Sequence, residues 1–170
     1  IVLFFSDSSG NEFSDNFVGT NAIGADLGNA NEGILVEESP NNRVGGNTVG
    51  FTTDGIVLTG ADATGNEISD NFVGTNATGA DLGNDSGGIV IEAMGNTIGG
   101  TGAGEGNVVG FNGGWGVVLD AGTTDIEVLG NFVGTNASGA DLGNASDGIL
   151  VLDAPGNTIG GNTVGFNGRA

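Results

Sequence analysis

Carboxylates are almost the only side chains in this sequence that could carry acid–base or metal chemistry. The 170 residues include 21 Asp and Glu against two arginines, Arg43 and Arg169, with no Lys, His, Cys, Tyr or Gln. Thiol and imidazole catalysis are therefore closed, as are thiolate metal sites. Two groups of acids remain. Glu37, Glu38, Glu92 and Asp120 stand at the ends of short apolar runs, where a pair of carboxylates could perform glycoside chemistry. Asp26, Asp81 and Asp141 hold one place in three copies of the phrase TNAxGADLGN, each copy also carrying an Asn pair: Asn21 and Asn29, Asn76 and Asn84, Asn136 and Asn144. An Asp, two Asn and loop carbonyls could approach the about six to eight oxygens that Ca²⁺ takes. A single carboxylate per loop is few for that ion. The reading the residues favour is that each Asp caps its own turn while Leu27, Leu82 and Leu142 tuck against the body of the protein. No other cofactor is expected.

The loops belong to a longer repeat. NFVGTNAxGADLGN starts at Asn16, Asn71 and Asn131, and its copies differ only at Ile23, Thr78 and Ser138. Self-similarity at a long period marks a repeat architecture. An apolar triplet follows Gly33, Gly55, Gly88, Gly116 and Gly148, and the opening IVL at Ile1 is the same motif without its glycine. Next comes Asn-x-apolar, at Asn11, Asn42, Asn66, Asn96 and Asn157, with Ile126 once in the Asn place. Asn-x-Val-Gly then follows at Asn16, Asn47, Asn71, Asn107, Asn131 and Asn162. Six cycles of three short strands predict six rungs of an all-β solenoid, a parallel β-helix, as one unit over residues 1–170. The 37 glycines and the lack of a sustained helical period exclude an α-helical fold. At ~4.8 Å per rung the rod would be on the order of 30 Å long.

Strand alternation assigns the faces. Ile1, Ile34, Ile56, Ile89, Val117 and Ile149 form one inward stack, and Leu3, Val36, Leu58, Ile91, Leu119 and Val151 the next. Phe13, Val44, Ile68, Ile98, Val128 and Ile159 come from the second strand, and Val18, Val49, Val73, Val109, Val133 and Val164 from the third. Between the first two stacks, Val2, Leu35, Val57, Val90, Val118 and Leu150 point outward and are all apolar, an expected interaction stripe or a surface covered by another segment. The Asn column that opens the third strand is read as a hydrogen-bonded ladder, with Asn suited to the left-handed backbone of a tight turn. Arg43 lies level with Glu12 and Glu67, an outward Glu–Arg–Glu ladder. Long loops follow only the first, third and fifth rungs, and Thr20, Phe51, Thr75, Phe111, Thr135 and Phe166 alternate at the same place. With Phe17, Phe72 and Phe132, these phenylalanines are expected to fill space under the loops.

These phrases resemble the right-handed parallel β-helix repeat proteins of the pectate-lyase-like superfamily, in particular bacterial secreted and surface members. The resemblance rests on NTIGG at Asn96 and Asn157, GNEISDNFVGT from Gly65 and LGNASDGILV from Leu142, and it covers the whole chain. It implies the architecture and an extracellular or cell-surface setting, while the superfamily hosts lyases, hydrolases, epimerases and adhesins alike. Its lyases imply a basic residue for proton abstraction, and its hydrolases imply carboxylates grouped with His or basic partners. This sequence has no such set, so no enzyme activity is expected.

The net charge of −19 repels nucleic acid and anionic membranes, and no apolar run approaches the roughly 20 residues of a membrane helix. Neither insertion into a membrane nor binding to nucleic acid is expected, and no signal peptide is visible. Placing Ile1 after Ala170 continues the register of Phe51–Ile56. The chain is therefore expected to be a segment of a longer array, or a subunit stacking head-to-tail with other copies, through open ends that meet neighbouring rungs. The expected role is a spacer, adhesin or filament rod. The alternatives are a carbohydrate-binding or carbohydrate-processing β-helix, with glycans as partners, and Ca²⁺-dependent assembly through the Asp loops.

Overall fold

A three-residue apolar strand bounded by glycine cannot bury a face by itself. In the computed structural model, which describes residues 1–5 and 7–169, these strands do so by stacking. Eighteen strands form three parallel six-stranded sheets, and each sheet takes one strand from every rung. The first rung is Val2–Phe4, Glu12–Ser14 and Phe17–Val18, and the sixth is Ile149–Val151, Thr158–Gly160 and Thr163–Val164. This is a right-handed parallel β-helix, with no α-helix among the described residues.

The register is the one the repeats predict. Leu3, Val36, Leu58, Ile91, Leu119 and Val151 are successive partners in the first sheet. The second sheet aligns Phe13, Val44, Ile68, Ile98, Val128 and Ile159. The third aligns the six valines from Val18 to Val164. In the middle rungs these side chains are fully buried and form one continuous core. Each buried aliphatic side chain contributes roughly 1.5–3 kcal/mol. A register slip of one residue would turn every one of them outward, so the stacks also specify the pairing.

The corners are held by asparagine amides. In the column at the start of the third strand, the Oδ1 of Asn107 accepts from the backbone N–H of Asn71 at 3.0 Å and from its Nδ2 at 2.9 Å. The Nδ2 of Asn107 donates to Asn131 Oδ1 and to the Ile68 carbonyl, both at 2.8 Å. The same links join Asn16 to Asn47, Asn47 to Asn71 and Asn131 to Asn162. Amides stacked one per rung satisfy buried backbone donors that a tight corner would otherwise strand. One expectation is corrected here: the ladder asparagines are not the left-handed residues. On five of the six rungs the residue just before takes positive φ, at Asp15, Gly46, Asp70, Gly130 and Gly161, while Gly106 before Asn107 does not.

The second-strand column behaves likewise from Asn11 through Asn42 and Asn66 to Asn96. It breaks at Ile126, which is fully buried and joins the apolar core. Asn96 donates its amide to the carbonyls of Ala63, Ala93 and Met94, as Asn42 does to those of Ser39 and Pro40.

Candidate functional site

Three surface features carry the residues that chemistry would need: the long loops, the Arg43 ladder and the outer face of the first sheet. Each long loop is closed by its own polar side chains. The buried hydroxyls of Thr20, Thr75 and Thr135 donate to the carbonyls of Ala25, Ala80 and Ala140 at 2.9, 2.9 and 2.8 Å. Asn76 Oδ1 accepts from the N–H groups of Thr78 and Ala80, and Asn21 and Asn136 do the same in their loops. Asp81 and Asp141 accept from Gly83 and Gly143 N–H at 3.0 and 3.1 Å, the turn-capping role. Asp26, Asp81 and Asp141 are exposed, each on a separate loop. The described residues hold no group of three or more His, Cys, Asp or Glu placed around one point.

In the second and third loops the two asparagines are not available as a pair. Asn84 and Asn144 are buried in a third amide ladder that sequence reading missed. Thr52 Oγ1 donates to Asn84 Oδ1 at 2.7 Å, and Asn84, Asn112, Asn144 and Asn167 follow in turn at 2.8 Å per link. The signal was present as LGN after long loops and FN after short turns. It was hidden because each loop inserts extra residues before its Asn, so the column is out of step in sequence and in step in space.

Leu82 and Leu142 are buried, but Leu27 is 64% exposed. The reason lies in loop stacking. Leu82 reaches Gly24 of the preceding long loop, and Leu142 reaches Gly79. Leu27, in the first loop, packs beneath no loop among the described residues. Gly50 and Gly110 on the intervening short rungs must stay bare, since a Cβ on either would run into Leu82 or Leu142. On the inner rungs Phe51, Phe72, Phe111 and Phe132 are half-buried. Phe17 is 52% and Phe166 59% exposed, while Phe51, Phe111 and Phe166 hold φ of 56°, 61° and 62° as the left-handed residues of the third corner.

Arg43 pairs with Glu12 at 2.9 Å and Glu67 at 3.4 Å, in register across three rungs. Ser69 Oγ completes the group, accepting from Arg43 Nη2 and donating to Glu67. All three charged side chains are largely solvated, so this is a surface clamp worth about 1 kcal/mol or less.

The outward stripe of the first sheet is in register from Val2 through Leu35, Val57, Val90 and Val118 to Leu150. It is less open than its sequence suggests. Val57 and Val118 are buried, Leu35, Val90 and Leu150 half-buried, and only Val2 is exposed. A shallow groove runs over the upper rungs, lined among others by Val90, Trp115, Leu150, Glu92 and Asp120. Of the candidate acids, Glu92 and Asp120 thus share this groove. Glu38 instead accepts from Asp62 N–H and serves a turn.

Parallel three-sided rungs define a β-helix repeat protein of the pectate-lyase-like, right-handed kind. More particularly, the chain belongs to the NosD family: residues 2–170 match the family model described as "Periplasmic copper-binding protein (NosD)". No curated protein and no solved structure matched the chain. The family is described as periplasmic, and no helix among the described residues is long and apolar enough to cross a membrane.

Proposed function

We propose that this chain is a non-catalytic structural module, a rigid rod that spaces or presents surfaces outside the cytoplasm. The observation that carries the reading is the fate of the repeated residues. The Asn columns are bonded rung to rung, the loop Thr and Asn close their own loops, and the apolar stacks are core. Little that is repeated remains free for a reaction. The acids of the first sheet have no His, Lys or Tyr to work with. A screen against neutral and acidic polysaccharides tests this. No turnover is expected, and turnover of any glycan would overturn it.

Copper is not part of this proposal. Copper is held best by thiolate, thioether and imidazole ligands. This chain has no Cys, no His and a single Met, Met94. Its residues do not fit a copper centre, and the family's description is not carried over to it.

The inward residues of the sixth rung, such as Val151, Ile159 and Val164, are 40, 45 and 41% exposed. In the rod reading a further rung covers them, from the same protein or from another copy, whose end would extend the three sheets. Electron microscopy of purified protein separates these: filaments support stacking of copies, and uniform short rods argue against it.

A further inference from the structure

The first sheet's outer face combines an apolar floor with acids that have no counter-charge. Glu92 and Asp120 follow Ile91 and Leu119, which are partners in register, so the two carboxylates sit side by side on adjacent rungs. Like charges placed directly opposite in a sheet are destabilising. Elsewhere the fold answers that problem with Arg43 between Glu12 and Glu67, and among the described residues those are the only ion pairs. On the groove no cation intervenes. Asp54, on the other side of the stripe, adds a third carboxylate and is held in place by Gly87 N–H, which donates to its Oδ1. Trp115 lies on the Asp54 edge of the same groove, across the strand from Asp120 and with Asp147 level with it on the next rung. The same place on the preceding rung is Gly87, over which the Val90 side chain and the Asp54 carboxylate lie. Trp115 is 37% and Leu152 47% exposed. The floor is therefore apolar, the rim anionic, and the one aromatic open to stacking by a cation.

We propose that this groove docks a basic, amphipathic segment of a partner protein, an extended peptide alternating Lys or Arg with apolar residues. Its apolar side chains cover Val90 and Leu150, and its cations stand over Trp115 and between Glu92 and Asp120. Charge complementarity selects this occupant over a neutral one, and it would supply the counter-charge that the rim lacks. The inference is independent of what the rod spaces or joins.

Trp115 is the only tryptophan in the chain, so its fluorescence reports the groove directly. The probe is a ten-residue peptide alternating Lys and Leu, titrated into the whole chain at physiological ionic strength. Controls are a Ser–Leu peptide of the same pattern and neutral oligosaccharides. Saturable binding of the Lys–Leu peptide with a change in Trp115 emission is expected. Glu92→Gln with Asp120→Asn should weaken it at least tenfold. Asp125→Asn with Glu127→Gln, which removes equal charge from the second sheet, should weaken it by less than threefold. These are surface positions, and a melting curve for each variant confirms folding. Equal losses from both pairs, equal binding of the Ser–Leu peptide, or no saturable binding would each overturn the proposal. A Trp115 response to the oligosaccharides without one to the Lys–Leu peptide would reassign the groove to glycans.

Discussion

Replacing Asn107 with alanine tests whether the amide ladders hold the coil together. Asn107 is fully buried and takes part in four side-chain hydrogen bonds, two accepted from Asn71 and two donated, to Ile68 and Asn131. Alanine leaves the Asn71 N–H without its acceptor inside the coil, a penalty of about 1–3 kcal/mol. The Nδ2 of Asn71 keeps its bonds to the Val44 and Ser69 carbonyls, so it adds little. The two lost donations add about 1 kcal/mol each, giving about 3–5 kcal/mol in all. Asn162 is the internal comparison: it has the same bonding pattern toward Asn131 and Val128, but it is half-exposed, and water can replace it. Asn162→Ala should therefore lose only about 1 kcal/mol. Thermal unfolding reads the difference. At about 2–4 °C per kcal/mol for a chain of this size, Asn107→Ala should melt about 6–20 °C lower than wild type and Asn162→Ala about 2–4 °C lower. Equal small shifts for both would show that the ladder decorates the corner rather than holding it.

Four further outcomes follow. Ile126→Asn supplies the acceptor missing above Asn96 and should change stability by no more than about 1 kcal/mol, whereas Val128→Asn, buried with no ladder to join, should lose about 3 kcal/mol or more by urea unfolding. Arg43→Ala should lower stability by about 1 kcal/mol or less, and less still in high salt, since its partners are solvated; a loss of several kcal/mol would contradict the surface reading. Thr75→Val removes the hydroxyl that ties the third-rung loop to Ala80. It should lower stability by about 1 kcal/mol and speed proteolysis within residues 75–84, and an unchanged cleavage rate would remove Thr75 from that role. Ca²⁺ at millimolar concentration should leave the melting temperature unchanged, and Cu²⁺ should not survive gel filtration with the protein; a stabilisation by Ca²⁺ would return Asp26, Asp81 and Asp141 to metal binding.

The sequence by itself determined the coil. A parallel β-helix puts equivalent residues directly over one another, so a column in space is a period in sequence. The four inward stacks, the third-strand Asn ladder and the Glu12–Arg43–Glu67 clamp could all be read from aligned motifs. Three things needed the tertiary structure. The Asn84–Asn112–Asn144–Asn167 ladder lies where long loops rejoin the coil, and an inserted loop destroys the period while leaving the stacking intact. The difference between Leu27 and Leu82 depends on whether another loop stands behind, which one copy of a repeat cannot report. The groove at Trp115 is built from residues on several rungs, and Trp115 occurs once. Periodicity reveals what every rung shares. A partner-binding surface is made from what one rung does differently, and only the folded arrangement brings those differences side by side.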